Sequence, residues 1–498
     1  MAVEETRKRR KKKVLPLSKR QLIAFQRFGL GARPGDFSRV KNPLKSLRKE
    51  LSTPGITLVA KTSLLPTYKQ ACALGETGKT DLPGLVANAD NSVTVFRREL
   101  DARFRKHLSV KFGFAERLVL FWANHFSMSS NKEVRTVVRS TIGQLERDVI
   151  RKHALGKFPD MLVGVMTHPA MIVYLDNQIS VGPNSESAKS GNLFNDVNVN
   201  LAREIHELHT VGSGGGYTEA DVKALALILS GWTFVTESDA SHNADGGSYA
   251  NVGQFIYKAR WHEPAASFKH MGVVRANKGS ATGVAVLRWL ALRPQTAEFL
   301  AFKMLKHFIT DNPTPRMVKP LKAAYLKGGG DLKAMALAML DLKSAWTVPL
   351  RKYRTPYETV VAQYRAMRTM HTPYAVSSGS DVSNYQTTRW NLAFLNQKPW
   401  ECLDPDGWDD DSAEWLNPDA LRVGLAAAYE AVSTYAPASV AVTAKSPIGL
   451  GSPAGVAALG KAILGTNLTS TTVAAIKAAP TAKAALAILF VSPEFMRR

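Results

Sequence analysis

The apolar residues of this chain recur at the spacing of a helix and almost nowhere at the spacing of a strand. Between Glu116 and Phe126, the residues Leu118, Phe121, Trp122, His125 and Phe126 fall at i, i+3, i+4, i+7 and i+8, which is one face of an amphipathic helix. Leu332, Met335, Ala336, Met339 and Leu340 repeat the pattern, with Gly328-Gly329-Gly330 ending the helix before it and Asp331 placed to cap the new one. Thr218 to Asp221 has the form of a capping box. The helix it opens, 219–230, is apolar almost all round and therefore central, and Gly231 stops it. These patterns predict an all-α fold, a large multi-helix domain with at most a short β-hairpin between Trp232 and Trp261. Trp232, just past the helix stop, is expected to bury its ring.

Residues 1–20 read as a basic disordered tail and 21–498 as a single helical domain. Two stretches, 187–197 and 377–388, replace apolar residues with Ser, Asn and Gly and read as insertions. The chain has 65 Lys and Arg against 41 Asp and Glu, a formal charge of +24. The first twenty residues hold nine bases and two acids, so most of the excess lies outside the tail. A field of that sign draws anionic partners. These are an anionic polymer or surface, or nucleic acid held through the run Arg7 to Lys13. The residues after that run, Val14 to Arg20, are too short and too charged for the apolar stretch of roughly 7 to 15 residues that an export signal needs. No window of about 18 uncharged apolar residues exists to cross a membrane. A cytoplasmic location is the expectation. Cys72 and Cys402 lack metal-ligand spacing, which excludes a cysteine-built zinc site or a disulfide framework and leaves two buried thiols.

The densest polar segment is 199–209. On an α-helix, Leu201, Ile205 and Leu208 form its apolar stripe, while Asn200, Glu204 and Glu207 form a second stripe with Arg203 at its outer edge. Two carboxylates one turn apart can bind a cation together or share a proton, one pKa rising. The alternatives are an Arg–carboxylate network tying helices together, or plain solvent exposure. His209 falls on the opposite flank, and neither H-E-x-x-H nor E-x-x-H spacing occurs, so no metal or cofactor is assigned. Asp176, Glu204, Glu207 and His262 are the candidate catalytic or metal-binding residues. Asn177, Asn200, Arg203 and Trp232 are the candidate binding residues, and Arg203 is expected to reach Asp176 or Asp221. Gly212 to Gly216 lacks the strand and Lys-Ser/Thr of a phosphate loop and reads as a tight helix connection. His125 and His307 read as packing histidines, and no G-x-S-x-G elbow presents a serine nucleophile.

Several of these segments, in order, resemble the bacterial domain-of-unknown-function 1800 family. They are Phe28-Gly29-Leu30-Gly31, Phe121 to Phe126, Asp148 to Gly156, Tyr174-Leu175-Asp176-Asn177, Ala202 to Gly212, Gly216 to Val222, Ser230-Gly231-Trp232 and the closing Ser492-Pro493-Glu494-Phe495. The resemblance implies one helical unit over most of the chain and no established reaction. Many relatives look exported, often beside a sulfatase-like partner family, which points to extracellular polymers. This chain departs in lacking an export signal, and in carrying Pro183-Asn184-Ser185-Glu186 and an insertion where the family has Pro-Asn-Glu-Asn. The functional expectation is an enzyme, of hydrolase type, acting on a polyanionic or polar polymer through the acidic helix site. The alternative is a non-catalytic binding or assembly protein that uses its basic surface to hold an anionic partner.

Overall fold

A computed structural model describes residues 16–60, 65–77, 92–132, 136–191, 196–242, 247–248, 251–368, 396–416 and 450–498. The expected insertion at 377–388, residues 1–15 of the expected tail and part of 187–197 lie outside them. The rest of the tail does not: Leu17 to Arg20 open a helix, Leu17–Ile23, whose inner face buries Leu22 and Ile23.

Helices dominate, as the apolar spacing requires. The Phe114–His125 helix buries Leu118, Phe121, Trp122 and His125 on one face. The Leu332–Asp341 helix starts on Asp331, whose carboxylate accepts the Ala334 amide at 2.8 Å. Thr218 and Asp221 form a reciprocal capping box at the head of the Glu219–Leu229 helix. Two further boxes, Thr236–Asp239 and Thr355–Glu358, open other helices. Each satisfies amides that the first turn leaves without partners.

Among the described residues the strands form two antiparallel pairs. β1 (Trp232–Phe234) pairs with β2 (Phe255–Tyr257), Trp232 opposite Tyr257, where the hairpin was expected. β3 (Ser267–His270) and β4 (Val273–Ala276) add a second pair. Trp232 is fully buried, edge-on to Phe255 at 5.0 Å. Its indole lies so close over Gly283 that no Cβ would fit there. Most buried apolar residues among those described form one contiguous cluster from Ile23 to Phe495, and Ala73, Val235, Ala240 and Val252 form a small second one. No described helix is long and apolar enough to cross a membrane. Both cysteines are buried and neither is in a disulfide.

Among the described residues, three single π turns interrupt the helices, at Ala24–Phe28, Glu146–Ile150 and Ile205–His209. Such turns are rare and favour functional positions, because the extra residue re-aims the side chains around it. The last of them lies inside the polar segment singled out from the sequence.

Candidate active site

The helix Asn200–Glu204 runs directly into the π turn Ile205–His209, so the α-helical projection holds only for its first half. Leu201 and Ile205 are buried as expected. Beyond them the wider turn carries Leu208 out to a half-buried position and draws His206 and His209 fully inside. His125 and His209 hold each other by reciprocal bonds: the Nε2–H of His125 donates to the His209 carbonyl at 3.2 Å, and the Nδ1–H of His209 donates to the His125 carbonyl at 3.1 Å. Burial drives the His209 pKa down to about 3, assisted by the Lys303 ammonium, so both rings are neutral packing histidines.

Glu204 remains at the surface of this turn, half-buried. Its Oε2 is shielded from solvent and has no hydrogen-bond partner. Burial raises its pKa to about 6, and the neighbouring Glu207 and Asp406 push the same way against Arg203. Asp406 is itself raised, by burial and then by Asp404, while Lys303 opposes. Tyr174 completes the group: burial and then Cys402, Asp404, Glu204 and Asp406 push its phenol up, and its hydroxyl donates to the Leu403 carbonyl at 3.4 Å. The Tyr217 phenol is raised by burial and by Glu207 and Glu204. Its ring stacks on His206 at 4.9 Å. Lys303 lies over the Phe299 ring at 5.5 Å. Burial lowers its pKa, partly offset by Asp410 and Asp406.

Asp404 and Asp406 come from a strap, residues 396–416, nearly 200 positions away in sequence. The strap is bolted to the end of the Phe114–His125 helix. Asn124 donates Nδ2–H to the Trp408 carbonyl at 2.8 Å and accepts the Trp408 amide at 2.9 Å. Gly407 between them has φ +86°, and a Cβ there would stand 2.5 Å from the Asn124 carbonyl oxygen, so only glycine fits. Trp400 Nε1 donates to Glu146 at 3.1 Å, His307 Nδ1 to Asp410 at 2.6 Å and Lys306 to Asp411 at 2.8 Å. Beneath the strap is a cavity of about 80 Å³, lined among others by Arg103, Glu146, Tyr357, Trp400, Cys402 and Asp410.

The other sequence candidates separate from this group. Asp176, at φ +56°, pairs with Lys132 at 2.7 Å. Lys132 also donates to the Tyr174 carbonyl, and no hydrogen bond or ion pair joins Asp176 to Glu204 among the described residues. His262 does not join the group: its Nδ1 meets the Ser230 carbonyl and its Nε2 meets Asn277 Oδ1, each at 3.0 Å. No hydrogen bond or ion pair connects it with Asp176, Glu204 or Glu207 among the described residues. Asn177 and Trp232 are corrected as binding residues, because both are fully inside, Asn177 donating to the Trp232 carbonyl at 2.9 Å. Asn200 is exposed at the helix start. Arg203 reaches neither Asp176 nor Asp221. It forks onto Glu219, with Nη1 to Oε2 at 3.0 Å, because Asp221 is already engaged by Thr218 and the Met271 amide.

Sequence reasoning missed Asp404, Asp406 and Lys303. One signal was present: five of the eight residues from Asp404 to Asp411 are acidic, in a chain with a large cationic excess. No group of three or more His, Cys, Asp or Glu side chains suited to a metal ion occurs among the described residues. Neither a curated protein nor a solved structure matches the chain. One family model does match, over residues 23–497, and the chain accordingly belongs to the family described as protein of unknown function (DUF1800).

Proposed function

We propose that this protein is an acid–base enzyme, of hydrolase or transferase type, that acts in the cleft between the Ile205–His209 turn and the 396–416 strap. The observation that carries the reading is Glu204. It is a half-buried carboxyl with a shielded, unpartnered oxygen and a pKa raised to about 6 by burial, Glu207 and Asp406. A carboxyl that holds its proton near neutrality beside other carboxylates is the usual arrangement for dividing acid and base roles. Glu204 is the proton donor in this reading, and Glu207 or Asp406 the ionised partner. The acidic lining repels an anionic group at the reacting centre, which narrows the substrate to a polar group that is uncharged where it reacts.

The test is a panel of neutral polysaccharides and polar esters, assayed between about pH 5 and 8 with wild type and Glu204→Gln. Turnover that falls as pH rises through about 6, and vanishes in a Glu204→Gln protein that is no less stable than wild type, is the expected result. A Gln variant with full activity on a turned-over substrate removes Glu204 from the chemistry.

A further inference from the structure

The guanidinium groups of Arg27, Arg354 and Arg365 are fully buried and form no ion pair among the described residues. Two of them place both Nη atoms on main-chain oxygen instead. Arg27 sets Nη1 on the Ala345 carbonyl at 2.8 Å and Nη2 on those of Val348 and Pro349, each at 3.0 Å. Arg365 donates from Nε to Gly31 at 3.1 Å, from Nη1 to His107 and Val110, and from Nη2 to Lys111, the last three at 2.8 Å. Arg354 differs. Its Nε donates to the Phe495 carbonyl at 3.0 Å, but Nη1 and Nη2 are shielded from solvent and have no hydrogen-bond partner. A buried ionised donor is costly unless an acceptor meets it.

No neighbouring carboxylate is left to do so. Glu358 engages Arg117 through Oε1 at 3.0 Å and Arg498 through Oε2 at 2.8 Å. Asp410 takes His307 at 2.6 Å, and Asp311 takes Lys352 at 2.5 Å. Arg117, Arg354, Arg498 and Lys352 thus face Glu358, Asp410 and Asp311, four cations against three anions, because burial keeps His307 neutral with a pKa of about 4. Arg27, which Arg498 also opposes, adds to the excess. Burial lowers the Arg354 pKa to about 10, Glu358 opposing and Arg498 reinforcing. A water molecule would satisfy the hydrogen bonds and leave the charge. A monovalent anion answers both. The residues around the fork are small: a Cβ on Gly31 would stand 3.8 Å from Nη2 and 3.0 Å from the Ala362 Cβ.

We propose that the two Nη atoms of Arg354 hold a small monovalent inorganic anion, chloride in ordinary salt, where the Phe28–Gly31 run meets the closing Ser492–Phe495 segment. The ion is enclosed as the chain folds and ties the two ends of the domain together. The inference is independent of the acidic cleft and stands whatever Glu204 does.

The test is the chloride dependence of urea unfolding in the full chain, with bulky gluconate replacing chloride at constant ionic strength. One anion released on unfolding raises the folding constant up to about tenfold for each tenfold rise in chloride. The slope of Arg354→Met should therefore fall below that of wild type by about one chloride. Arg27→Met removes an equally buried guanidinium whose Nη atoms already meet carbonyls, and should keep the wild-type slope. Crystals grown in bromide give a readout that needs no variant: an anomalous peak between the two Nη atoms of Arg354 supports the inference. Equal slopes in wild type and Arg354→Met, or a water in place of bromide at the fork, overturns it.

Discussion

Charge is handled in opposite ways on the two sides of the strap. On the cavity side every carboxylate is answered. Arg151 bridges Glu116 at 2.8 Å and Glu146 at 2.9 Å, and also donates to the Thr57 carbonyl at 2.9 Å. The Arg103 guanidinium reaches Glu146 at 3.2 Å between the rings of Tyr357 and Trp400. Nearby, Glu358 is clasped by Arg117 at 3.0 Å and Arg498 at 2.8 Å. On the cleft side, Glu204, Glu207, Asp404 and Asp406 crowd one another, opposed by Arg203 at Glu204 and by Lys303 at Asp406. Burial acts on Glu116 and Glu204 alike, raising both. Arg151 and His107 reverse it at Glu116, down to about 2, whereas at Glu204 the neighbours compound it. The same residue type is thus a fastener in one place and a store of protons in the other, and its partners decide which.

Removing a fastener should cost most. Arg151→Met leaves Glu116 buried without its guanidinium and takes from Glu146 one of its two, a loss of about 3 to 5 kcal/mol, read as a lower denaturant midpoint at unchanged slope. The sign of its pH dependence follows from the depressed pKa. The stability that Glu116 contributes in wild type is present above its unfolded value of 4.5 and lost as pH falls through about 2. The deficit of the variant should therefore shrink in acid. A deficit independent of pH would mean that lost packing, not the ion pair, is what Arg151 supplies.

Glu204→Gln should move stability the other way. Its raised pKa means that the folded protein holds a proton the unfolded chain releases, so wild type loses stability as pH rises from about 4.5 through about 6. The variant should gain about 1 kcal/mol or less at pH 7, once solvent screening of this half-exposed group is allowed for. It should gain nothing at pH 4. Destabilisation at both values would place Glu204 among the fasteners and erase the contrast.

Arg203→Ala should do least. Arg203 and Glu219 are both largely solvent-exposed, and such pairs contribute little, so its melting temperature should match wild type. A clear drop would show that the fork onto Glu219 also orders the Tyr217 segment.

What could be read from the sequence was local. The Phe114–His125 and Leu332–Asp341 helices, the Thr218 capping box and the β1–β2 hairpin each follow from residues within one or two turns of each other. The cleft was half legible: Glu204 and Glu207 stand out as a stripe, but Asp404 and Asp406 meet them only through folding, and an acidic loop ordinarily signals a solvated one. His262 is a candidate from the sequence, yet its partners, Ser230 and Asn277, come from elements whose approach no spacing rule describes. The π turn escaped because nothing in 205–209 departs from a good α-helix pattern. What selects it is the long-range exchange with His125.

That exchange couples two parts of the molecule in time as well as in space. His125 ends one helix, His209 ends the turn that carries Glu207 and directly follows Glu204, and each ring is tied to the other's backbone. Neither segment can fray without breaking both bonds and exposing two neutral imidazoles. The amides around 122–126 and 205–212 should then share one opening free energy in hydrogen exchange, a single cooperative unit assembled from pieces 84 residues apart.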